Sequence, residues 1–294
     1  MNIQAINNNY KNSSLISNKK NIGFRGIVTQ NKVKKLTPEL GFFIFNTPEI
    51  SIKNIEQLLK KFKPNLEVNF QKMKNVWTKA FAETNVGLDN LLNTTIISNK
   101  INLSVDEINN FDDKLQLFEW LVHEMTHIYQ TDFDSDDKHV SHINMEFARK
   151  KLLENFTEQN AIETQKQIEK AQIIFHELET KMLEAIHSQG YTGSDIAQPI
   201  KNIDILDLEL SYFKAFGKTS QDFMRSFVNE KIKKLGITDR GFVEKVIQTQ
   251  AKSEVEAYTM SQNAIKEILG IKGASNNDFR IFIYKIMSRI NLNE

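Results

Sequence analysis

The stretch that most constrains this chain is Leu121-Val122-His123-Glu124-Met125-Thr126-His127-Ile128-Tyr129-Gln130. A His-Glu-x-x-His spacing carries chemistry only on a helix, where residues four apart share one face just over a turn apart. Both imidazoles can then reach one cation. Glu124 is poorly placed to be a third ligand from the same turn, but its carboxylate can hold and deprotonate a water on that cation. The sequence around the motif agrees with a helix. Placed at about 100° per residue, Leu117, Phe118, Leu121, Val122, Met125, Ile128 and Tyr129 share a broad apolar arc, and His123 and His127 fall opposite it. Histidines satisfied in a core would sit on that arc. A metal site or two solvent-exposed histidines remain.

Composition narrows the ligand set. Among 294 residues there is no cysteine, so disulfides, thiolate nucleophiles and Cys-type zinc sites are excluded, and any metal must be held by His, Asp or Glu. Basic and acidic residues number 38 and 37, a net charge of +1 that points to neither nucleic acid nor an anionic membrane as partner. No apolar run approaches the length of a membrane span. The N-terminus lacks the basic flank and apolar block of a secretory signal. The expectation is a cytoplasmic protein, or one exported without a cleaved signal peptide.

Residues 1–35, rich in Asn, Ser and Lys without a sustained apolar period, read as a disordered tail. Folded structure is expected to start near Thr37-Pro38-Glu39 and to form one domain over 36–294. Ile52, Ile55, Leu58, Leu59 and Phe62 mark a first helix, and Phe70, Met73, Val76, Trp77, Ala80 and Phe81 a second. Thr94–Ile97 and Ile101–Ser104, around Ser98-Asn99-Lys100, read as two short strands about a turn. Ser104 and Glu107 have capping-box spacing, and Asp112 or Asp113 can cap the motif helix. Downstream the pattern is helical. Ser141 begins a helix through Phe156, and Thr157 restarts it with a seam of Ile168, Ala171, Phe175, Leu178, Met182 and Ile186. A Gly-rich break near 189–200 separates two lobes or edges a cleft, and helices follow near 203–216, 221–235, 239–269 and 277–290.

Strand, connector and metal-binding helix in this order, with His123-Glu124-x-x-His127, resemble the zincins, a metallopeptidase group. The resemblance implies Zn²⁺ as cofactor, a protein or peptide substrate, and Ile101–Ser104 as a cleft wall along which substrate backbone lies as an added strand. Two histidines alone hold zinc weakly, so a third ligand is needed. In SprT-like zincins a third histidine follows after a short loop, and His139 or His142 stands in that place. In gluzincins the third ligand is a glutamate in a Glu-x-x-Ala pattern followed by a polar residue. Glu254, Ala257 and Tyr258 resemble it, with Tyr where Asp or Asn is common.

Helical phase favours Glu254. Over Asp239–Leu269, with Thr238 as N-cap and Gly270 at the end, Val243, Val246, Ile247, Ala257, Tyr258, Ala264, Ile265 and Ile268 form a stripe. Glu254 falls inside this stripe and Glu256 outside. A carboxylate there needs a cation or strong donors to offset its desolvation. The expected fold is therefore mainly α (α+β), a zincin-like core with a short β-hairpin or sheet beside the motif helix and a long helical second half. The expected activity is zinc-dependent peptide hydrolysis, with His123, His127 and Glu254 as metal ligands and Glu124 as general base. Tyr258 and His142 are candidate donors to developing charge. The alternatives are an inactive zincin-like protein or a helical interaction protein. Oligomeric state is not legible.

Overall fold

The computed structural model describes residues 27–70, 80–88, 94–103, 111–132, 139–188, 205–271 and 279–293. Among these the chain is mostly helical, 76% helix in nine helices, with one small three-stranded sheet. It is a mainly α, α+β fold. The chain divides into two compact units, Met1–Met145 and Glu146–Glu294. The segment around 189–200, where the sequence suggests a lobe break, lies outside the described residues.

The first unit opens with α1 (Ile27–Asn46), which occupies the last part of the expected tail; residues 1–26 lie outside the described residues. The helix forms because Val33, Leu36, Leu40 and Ile44 recur three and four apart, and all four are buried. Pro38, read from sequence as a helix start, sits inside it. Proline removes one backbone donor from the helix. Thr37 Oγ1 donates to Val33 O in the same turn, at 2.8 Å. After α2 (Ile52–Lys60), capped by Ser51 and burying Ile55, Leu58 and Leu59, come three strands. They are β1 (Leu66–Phe70), β2 (Ala80–Leu88) and β3 (Thr94–Leu103).

The strands depart from the sequence reading in two places. Phe70, Ala80 and Phe81, expected on a second helix, lie in β1 and β2; residues 71–79 are outside the described set. The expected hairpin over 94–104 is one continuous strand. Asn99, at its supposed turn, is buried and accepts from Thr84 Oγ1 at 3.0 Å. A polar side chain with a partner across the sheet does not need a turn to satisfy it.

The sheet order is β1-β3-β2, so β3 is central. It pairs in parallel with β1, Leu66 opposite Asn99 and Phe70 opposite Leu103, and antiparallel with β2, Ala80 opposite Leu103. Residues 104–110, with the expected capping box, lie outside the described residues. Then α3 (Phe111–Gln130) carries the motif, packed against α1 and β2. Asp112 and Asp113, expected as caps, fall within its first turn.

The division between units falls within α4 (Val140–Glu154). The second unit continues with α5 (Glu158–His187), capped by Thr157, whose side chain accepts from Asn160 N. Its expected seam is buried throughout, from Ile168 to Ile186. The remaining helices are α6 (Ile205–Phe216), α7 (Ser220–Leu235), α8 (Arg240–Ile268) and α9 (Phe279–Met287). Helix α5 packs on α6, α7 and α8, and α8 on α9. Asp239, rather than Thr238, caps α8, accepting from Phe242 N at 2.8 Å. No described helix is long and apolar enough to cross a membrane.

Candidate metal centre

Every residue of α3 from Leu121 to Gln130 is buried, the histidine face included. His123 and His127 are each 8% exposed and Glu124 is 6% exposed. The reading of two solvent-exposed surface histidines is therefore excluded. Instead the two rings meet edge to face, and their Nε2 atoms are 3.1 Å apart. Two imidazole nitrogens on one tetrahedral zinc, each about 2.0–2.1 Å from it, stand about 3.3 Å apart. The pair is close to that spacing.

The end of α3 is held from several sides. His127 Nδ1 is 3.0 Å from Gln130 Oε1. Thr131 Oγ1 donates to Ile128 O at 2.6 Å and reaches Thr84 Oγ1 of β2 at 3.5 Å. Asp132, one residue on, accepts from Lys32 of α1 at 2.9 Å and from Lys63 after α2. Lys32 also lies 5.9 Å from the centre of the Tyr129 ring. Burial, and then the Asp132 charge, hold the Tyr129 hydroxyl well above its ordinary range, so it stays protonated. These contacts fix the helix end that carries His127. Sequence reasoning gave neither Gln130 nor Asp132 a part in holding this helix end. Gln130 was within reach of it, because residues three apart on a helix are neighbours; Asp132 was not, since its partners are distant in sequence.

In the second unit, Glu254 is half-buried on α8 and not at the centre of the buried stripe, which runs through Ile247, Ala251, Ser253, Ala257 and Met260. Gln250, one turn earlier, donates from Nε2 to Glu254 Oε1 at 3.1 Å. Tyr258, one turn later, stacks on Tyr284 at 5.7 Å and has Arg280 over its ring at 4.2 Å. The negative charges of Glu179 and Glu254 add to burial in raising the Tyr284 hydroxyl well above its ordinary value. The Tyr284 hydroxyl donates a hydrogen bond to Glu179.

Among the described residues, His123, His127 and Glu254 form a group that could hold a metal ion: one ligand atom from each lies within 4.8 Å of the others. Two nitrogens and a carboxylate oxygen are a donor set that suits zinc. The rival third ligands are not in that group. His142 donates from Nε2 to Thr131 O at 3.1 Å, which commits that nitrogen to a carbonyl. The His139 ring is 6.0 Å from that of His127, and its Nδ1 accepts from Ser141 N at 3.3 Å and lies 2.9 Å from Ser141 Oγ.

Comparison of the chain with protein-family models, with curated proteins and with solved structures finds no match.

Proposed function

We propose that this chain is a zinc-dependent peptide hydrolase of the zincin type, gluzincin-like in its ligands, with Glu124 as general base. The observation that carries the reading is the buried His123–His127 pair, Nε2 atoms 3.1 Å apart, with a Glu254 ligand atom in the same 4.8 Å group. Burying two imidazoles beside a half-buried carboxylate is costly unless something offsets their lost hydration. A divalent cation offsets it for all three.

A bound Zn²⁺ supplies Lewis acidity to a water and to a carbonyl oxygen. The chain's own residues do the rest. His123 and His127 present nitrogen lone pairs from one helix face, and Glu254 brings one negative charge towards a divalent cation. Glu124, on the same turn as His123, accepts the proton of the attacking water and passes it to the leaving nitrogen.

The sheet changes where a substrate would lie. The sequence assigned the cleft wall to Ile101–Ser104, but Asn99–Leu103 of β3 is paired on both sides, leaving no open ladder for an added strand. Ser104 lies outside the described residues. Among the described residues the sheet edges are β1 and β2, and β2 packs against α3. An extended peptide would therefore add to the outer edge of β2.

The test pairs metal analysis with one substitution. The purified chain, stripped and given zinc back, should hold one zinc. Glu124→Gln should keep that zinc and lose peptide hydrolysis by about 10²–10⁴-fold. A chain that binds no stoichiometric zinc removes the reading. Zinc bound with no hydrolysis by the native chain leaves a binding-only relative.

A further inference from the structure

We propose that Gln130 is a positioning residue for the metal centre, fixing the tautomer of His127 so that Nε2 is the nitrogen left to bind a cation. The inference rests on the reading of His127 as a ligand. A carbonyl oxygen carries no proton, so the 3.0 Å contact between Gln130 Oε1 and His127 Nδ1 is a hydrogen bond only if Nδ1 is the donor. A neutral imidazole has one N–H. Nε2 must then carry the lone pair, and this is the atom that faces His123 Nε2 at 3.1 Å.

The arrangement is fixed by the helix end. Gln130 stands three residues after His127 and is fully buried, so its amide has no water to turn towards. Directly after it, Thr131 bonds back to Ile128 O, and Asp132 is pinned by Lys32 and Lys63. The last turn of α3 cannot swing without breaking those bonds. Partners of this kind, outside the ligand set, orient metal-binding histidines, and losing one typically costs about 10–100-fold in metal affinity. In this chain the partner is a neutral amide from the same helix, so His127 is set before any metal arrives.

The experiment reads tautomer and affinity separately. In the metal-free full chain, ¹H–¹⁵N correlations of the imidazoles should show His127 protonated at Nδ1. Gln130→Met keeps the bulk and removes the acceptor; it should lose that signature and bind zinc about 10–100-fold more weakly. Gln130→Glu restores an acceptor oxygen and should restore both. His127 protonated at Nε2 in the native chain, or a folded Gln130→Met chain with native zinc affinity, overturns the proposal. Should Gln130→Met fail to fold, the native tautomer and the Gln130→Glu affinity decide it. An Nδ1-protonated His127 in a chain that binds no zinc upholds the positioning by Gln130 and overturns the metal reading alone.

Discussion

On α5, exposed His176 sets Nδ1 3.4 Å from Glu179 Oε2, and this bond is the main reason its pKa lies above the ordinary value of 6.5. Burial opposes the shift, while the charges of Glu179 and Glu254 add to it. A pKa raised by folding means the folded state holds the proton more tightly, so the contribution is complete below about 6.5 and is lost as pH rises through the folded value. The ring is mostly solvent-exposed, so the effect is small. His176→Gln should flatten the native chain's slight loss of stability between about pH 6 and pH 8, read from urea midpoints; an unchanged slope would assign that loss elsewhere. His127 is the contrasting case. The Gln130 amide oxygen beside its Nδ1 selects a tautomer. One histidine is tuned to keep a proton, the other to present a lone pair.

Among the elements, α1 separates the sequence reading from the structure most sharply. A tail over 1–35 carries no folding energy, whereas in the fold Val33 of α1 is only 1% exposed. Val33→Ala should therefore cost about 1–3 kcal/mol, measured by urea unfolding, where a residue of a disordered tail would lose almost nothing. Gly236, the C-cap of α7 at φ 64°, offers a second check. An added methyl meets nothing within 4 Å, so Gly236→Ala should cost only the backbone strain, about 1–2 kcal/mol. What was legible follows from periodicity. The seam from Ile168 to Ile186 and the α8 stripe through Val243, Val246, Ile247 and Ala257 were readable because long helices repeat their burial over many turns. Pro38 was weighed as a boundary although the apolar spacing continued through it. Short strands give fewer repeats: Phe70, Ala80 and Phe81 fit a helical period by coincidence, and Ser98-Asn99-Lys100 looked like a turn because the partner of Asn99, Thr84, lies on another strand. Sheet order depends on such non-local pairing, which is why the central place of β3 was not visible.

At the scale of the whole chain the decisive quantity is how folding responds to zinc. A cation that binds the folded chain and not the unfolded one stabilises it by mass action, about 2.7 kcal/mol at a free concentration near 100 Kd. For a chain of this size that raises the melting temperature by about 4 °C. The shift should vanish in His123→Ala, His127→Ala and Glu254→Ala, which each remove one member of the group lying within 4.8 Å. It should persist in His139→Ala and His142→Ala, which lie outside that group and each have one ring nitrogen engaged, with Ser141 and with the Thr131 carbonyl. The comparison must be made on the shift rather than on the metal-free melting temperature. Removing a buried imidazole alters packing with or without zinc, whereas only a ligand changes the response to added metal. A shift that survives Glu254→Ala and is lost in His139→Ala would transfer the third ligand to the short loop after α3. In that case Glu254 would keep the hydrogen bond from Gln250 of the same helix without serving as a ligand.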